Sequence, residues 1–261
     1  MIPPQVRQQP NKRLKLVGAR RLQGSGVFAF GRMRHNTNSL AAGISVTALL
    51  MLIGSPPAPL SAQTVGRCVP VSERAGRVFG CFIMAREELG ALPVDTSLYW
   101  HLDTYPTVAE ANAARGARGT VVESLGRIWL LSIAAADYRP AGGKRIVRIG
   151  PLPLVTADRF AAVYMEGVFQ PGMTSVVHRH PGVEAWYTVE GSMCVETPDG
   201  KMEQRAGDPG VLVRGGVPMM LTGTGTGPRR SVVLILQDAA LPLSTAAHDW
   251  TPSGLCDHPS R

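Results

Sequence analysis

From Phe160 onward, short apolar runs are interrupted by glycines at 167, 172, 182, 191, 200, 207, 215, 216, 223, 225 and 227. Turns this closely spaced predict an all-β sandwich or barrel for this part of the chain. Within it, TPDGKMEQ places an Asp199-Gly200 turn between two strands, a hairpin signal. SVVLILQDA (231–239) reads as a buried closing strand.

One stretch of this region also carries chemistry. GMTSVVHRHPGVEAWYTVEG (172–191) holds His178, His180 and Glu184 between two glycines. If residues 178–180 are extended, their spacing puts both imidazoles on one face of the strand. Pro181 and Gly182 then turn the chain, so Glu184 can return a carboxylate to the same side. Two imidazoles and one carboxylate on a rigid sheet suit a divalent transition metal: iron, manganese, zinc or copper. Three polar groups converging in a barrel are costly unless paired or liganded, which favours a metal over a hydrogen-bonded remnant. Alternation from Glu184 predicts that Trp186 and Thr188 face the same cavity, as wall or as core.

The pattern G-x5-H-x-H-x3-E-x6-G resembles the first motif of the cupin superfamily, with every position filled. The resemblance covers about residues 155–240 and implies a cupin β-barrel of the jelly-roll type. It further implies a small-molecule ligand or substrate inside the barrel; homodimerisation stays open. The family's second motif begins at Gly207-Asp208, and in typical members it ends in a histidine that completes the metal site. Here GDPGVLVRGGVPMML puts Pro218 or Met219 at that position, depending on register. A thioether is a soft ligand and does not replace imidazole for zinc, manganese or ferrous iron. Met219 would suit cuprous copper or leave that side open. Gln237 and His248 are the remaining substitutes. The expectations are therefore a metal-dependent oxygenase or isomerase, or else a metal-free barrel that binds a small ligand without catalysis.

Before the barrel, residues 63–150 read as a small α+β section. RVFGCFIMA (77–85) and SLYWHLDTY (97–105) are aromatic and branched, as strands are. PTVAEANAAR (106–115) predicts a short helix, with Thr107 and Glu110 at capping-box spacing. GTVVESLGRIWLLSIA (119–134) predicts two strands meeting at Gly126. His101 and Asp103 share a strand face, but no pattern ties a nucleophile to them, and a structural role is expected. The barrel is expected over 151–241 and an irregular tail over 242–261.

The basic excess of the chain has a local origin. Eight of the 27 lysines and arginines precede Leu40, where no acidic residue occurs, and from Gln63 onward 19 basic residues meet 19 acidic ones. A nucleic-acid-binding body is excluded on that balance. The basic segment leads into LAAGISVTALLMLI (40–53), too short for a comfortable transmembrane helix, and then into small residues around Ala62. Residues 1–62 thus read as an export signal, with Met33 an alternative start, or as an anchor if uncleaved. Export to the periplasm or beyond would permit disulfides among Cys68, Cys81, Cys194 and Cys256, with three connectivities open and Cys68–Cys81 the most local.

Overall fold

In the computed structural model, which describes residues 64–93 and 95–257, strands dominate, and the mainly β expectation holds. Two sheets share one apolar interior. The first has the order β1 (Thr64–Val65), β9 (Thr174–Ser175), β15 (Met220–Thr224), β12 (Ser192–Thr197), β13 (Gly200–Arg205). The second has the order β14 (Val211–Val213), β11 (Val183–Glu190), β16 (Arg229–Asp238), β8 (Phe160–Phe169), β3 (Gly80–Gly90), β2 (Val69–Pro70). Met193, Val195 and Leu221 from the first sheet pack there with Val163, Trp186 and Val233 from the second.

A third sheet, β5 (Gly119–Ser124), β6 (Arg127–Ala134), β4 (Tyr99–Tyr105), β7 (Lys144–Ile149), packs on the outer face of the second. This explains why β16 is apolar without interruption from Val232 to Leu236. Val233 and Ile235 face the barrel interior, while Val232, Leu234 and Leu236 meet Trp100, Leu102 and Leu131 from the third sheet. Each such buried side chain is worth roughly 1.5–3 kcal/mol, so both faces select against polarity. The predicted helix is α1 (Val108–Ala114), and Thr107 accepts from the Glu110 backbone N–H at 3.2 Å as an N-cap does. The turn between β5 and β6 has Leu125 and Gly126 both at positive φ, the geometry of a two-residue hairpin turn.

The division expected at residue 150 runs differently. Residues 64–90 supply β1, β2 and β3 to the barrel sheets, and only β4 to β7 with α1 form the separate layer. β3 pairs with β8 from Gly80↔Val168 to Gly90↔Phe160, a ladder closed across some 80 residues that no local pattern encodes. The tail is also more ordered than expected. It forms β17 (Thr245–Ala246), which pairs with β10 (His178–Arg179). A disulfide, Cys194–Cys256, pins its end, and Glu196 accepts the backbone N–H groups of Ser253 and Leu255. Cys68–Cys81 is the second disulfide. The predicted leader lies outside the described residues; among those, no helix is long and apolar enough to cross a membrane.

Candidate metal centre

The site forms where the chain bends between β10 and β11. His178 is bridged to Met219 by two backbone hydrogen bonds (3.1 and 2.8 Å), which fix its strand as extended. Gly182 then lets the chain pass against β16. A Cβ there would lie 2.0 Å from the Leu236 carbonyl oxygen, so no other residue fits. Past that contact β11 begins, and Glu184 sits in register with Ile235 on β16, facing inward. Local sequence thus places all three predicted ligands on one wall.

Their orientation is held by backbone carbonyls. His178 Nδ1 lies 2.8 Å from the Val176 oxygen, and His180 Nδ1 lies 2.6 Å from the Leu243 oxygen. A carbonyl can only accept, so each Nδ1 carries a proton and each Nε2 is left to bind something else. Metal-ligating histidines are typically anchored this way. Glu184 is buried, and its Oε2 accepts no hydrogen bond, although His180 Nε2 is 3.4 Å away. One donor atom from each of the three residues falls within 4.8 Å of the others. The two rings stand 4.9 Å apart at 88°.

The electrostatics suit a cation. Burial pushes the His178 pKa down, keeping the ring neutral. Burial also opposes charge on His180, but the Glu184 carboxylate and the Leu243 carbonyl outweigh it and hold that pKa above 6.5. Burial would raise Glu184, yet His180, His178 and Arg229 together hold it below its ordinary value. An ionised, desolvated carboxylate with an unpartnered oxygen between two oriented imidazoles fits a divalent ion.

A cavity of about 240 Å³ opens beside these residues, also lined by Ser175, Arg229 and Leu243. The four further residues expected around it do not line it. Trp186 is fully buried in the interior core with Val233 and Met165. Thr188 donates to Gln204 Oε1 at 2.7 Å. Met219 packs into the same core, and Gln237 donates its amide to the carbonyls of Asp238 and Leu241. Alternation aimed Trp186 and Thr188 at this cavity, but side-chain packing takes up both. His248 is exposed and is no substitute ligand.

Arg229 escaped the sequence reading. It begins β16, in phase with the inward-facing Val233 and Ile235, and is 1% exposed. A basic residue in phase with an apolar face was the available signal. His101 and Asp103 lie instead in the third sheet. Arg145 donates from Nη1 to His101 Nδ1 and from Nε to Asp103 Oδ1, both at 2.7 Å, while His101 Nε2 donates to the Ala135 carbonyl. That ring is neutral and its two nitrogens are satisfied, as a structural role requires. An open groove of about 860 Å³ lies elsewhere, but its buried carboxylate, Glu166, is already held by Arg74 and Ser124.

No protein-family model matches the chain, and no curated protein does. Solved structures do. A cupin-like protein from Thermotoga maritima is 17% identical over 36% of this chain and 66% of that one, with a TM-score of 0.30. A protein with a double-stranded β-helix domain from Klebsiella pneumoniae is 21% identical over 43% and 86%, also at 0.30. A DMSP lyase from Ruegeria pomeroyi is 19% identical over 36% and 45%, at 0.30. The chain spans less than half the length of the DMSP lyases it matches. The barrel here sets two sheets around the interior that holds the motif.

Proposed function

We propose that this chain is an exported, divalent-metal-dependent enzyme that transforms a small molecule inside its barrel, by oxygenation or isomerisation. One observation carries the reading: two imidazoles anchored through Nδ1 converge with a buried carboxylate whose Oε2 has no partner. His178 and His180 would hold the ion through Nε2, and Glu184 would hold it through a carboxylate oxygen. A bound divalent ion supplies Lewis-acid chemistry at the cavity wall. Val65, Leu221, Val233 and Leu243 add apolar surface to the wall and limit the water around a bound molecule. The basic leader and two disulfides support export, since such bonds persist in oxidising compartments.

A metal-free binding barrel is the second reading, favoured by the absence of histidine at positions 218 and 219. Elemental analysis of protein beginning at Gln63, purified without chelator or affinity-tag metal, separates the two. About one equivalent of iron, manganese, zinc or copper is expected, and its loss in His178→Ala. Iron would favour oxygenation. No bound metal, and no thermal stabilisation by any of the four, would leave the binding barrel.

A further inference from the structure

Arg229 is a buried cation with too little to hold it. It is 1% exposed, it lines the cavity, and neither Nε nor Nη2 has a hydrogen-bond partner. Both atoms are shut in by their neighbours, and the guanidinium nitrogen that meets the space beside Gly167 is Nη1. Its neighbours offer little compensation: the Phe169 ring centroid lies 5.3 Å from Cζ, and Glu184 acts on it only through the field. Burial lowers its pKa to about 10, so it is charged at neutral pH. Buried arginines left this way are costly, and such groups ordinarily find an anion.

Gly167 sits beside the guanidinium, and a Cβ there would lie 3.1 Å from Arg229 Nη1 and 3.1 Å from Ser231 Oγ. Ser231 Oγ is itself buried and unpartnered. Along β16, Arg229 precedes Ile235, the register partner of Glu184, by six positions (235 − 229). His178, His180, Glu184 and Arg229 all line this one cavity. With a divalent ion bound and both histidines neutral, Glu184 and Arg229 cancel, and the charges of the ion and of the lining Arg67 remain.

We infer that the cavity takes a small organic carboxylate, held at Arg229 beneath Gly167 and Ser231, with its other end directed to His178, His180 and Glu184. The inference rests on the metal-centre reading for that other end and deepens it by naming the substrate class. At about 240 Å³, the cavity falls below the roughly 300–1,000 Å³ of drug-sized sites, which points to a molecule of few heavy atoms.

Titration calorimetry on zinc-loaded protein tests this, with propionate, succinate, the neutral isostere propionamide and inorganic phosphate as probes. Zinc content is measured in every sample. A carboxylate should bind and propionamide should not. Arg229→Met should keep its zinc and lose carboxylate affinity roughly 30-fold or more. Gly167→Ala should weaken binding with the charge intact, by crowding the guanidinium. Zinc-loaded wild-type protein that binds neither carboxylate, prefers phosphate, or binds propionamide equally well would overturn the inference and leave the metal centre standing. Undiminished binding in folded Arg229→Met would overturn it too. A carboxylate held by zinc-free protein and lost in Arg229→Met would support the anion site and count against the metal reading.

Discussion

Met219 is one of the two positions, with Pro218, at which the resemblance puts a fourth ligand, and its backbone exchanges both hydrogen bonds with His178. Residues directly opposite in an antiparallel pair project to the same side, with Cβ atoms about 4.5–5.5 Å apart. A histidine at 219 would therefore stand beside His178 on the metal side. Met219→His should tighten zinc binding by about tenfold or more, one increment of 1.4 kcal/mol, in competition with a chelator at pH 7.5. The cost is a polar ring among Trp186, Val213 and Leu221, so the metal-free variant should melt below wild type. If affinity is unchanged while the variant stays folded, position 219 does not address the ion. The ligands themselves were legible because their placement is local: i, i+2 alternation, then a bend that only glycine permits. Arg229 was not, because its proximity to them depends on the register of β16 against β8 and β11, set by contacts far apart in sequence.

At the scale of elements, the chain termini of the described fold close the cavity. Val65, Gly66, Arg67 and Cys68 border it from the N-terminal side, and Leu243 and Ser244 border it from the tail. The tail also supplies the carbonyl that orients His180, and β17 pairs with the strand that carries His178. Proline content made this segment look irregular, since nothing in its own sequence reveals that its partner is β10. Cys194–Cys256 spans 62 residues, a loop whose closure is worth about 4 kcal/mol by the chain-entropy account. Cys256→Ser should lower Tm and free the tail. Loss of the Leu243 carbonyl should then cost roughly 10–100-fold in zinc affinity, the usual effect of losing a partner that orients a ligand. Removing Cys68–Cys81 instead should lower stability with less effect on zinc, because β1 to β3 orient neither imidazole. Equal zinc losses in the two variants would show that the tail has no particular role in the site.

The molecule as a whole joins a barrel that carries the candidate metal centre to an outer sheet that covers its back. The mainly β character and the individual hairpins follow from glycine spacing and alternation. The sharing of β3 with the barrel does not, since a strand's own pattern says that it pairs but not with which partner. A metal held by the proposed site would bind only the folded chain, so the thermal stability of zinc-loaded protein would report the protonation of the site. His180 has its pKa raised in the metal-free fold, so its protonated form contributes stability that is full below 6.5 and lost as pH rises through the raised value. Zinc must displace that proton, so its affinity should already be declining when pH falls to 6.5. His178 is lowered, so it gives way at lower pH, and its burial as a neutral ring destabilises the metal-free fold as the unfolded chain protonates below 6.5. Glu184 is lowered too; its contribution is present above 4.5 and disappears only as pH falls through the depressed value. At fixed excess zinc, the gain in unfolding free energy over metal-free protein should shrink by about 1.4 kcal/mol per pH unit while His180 alone titrates, and about twice that once His178 joins. Calorimetric melts between pH 8 and pH 5, with and without zinc, measure that gain directly. A zinc-dependent gain that stays constant across this range would remove His180 from the coordination shell.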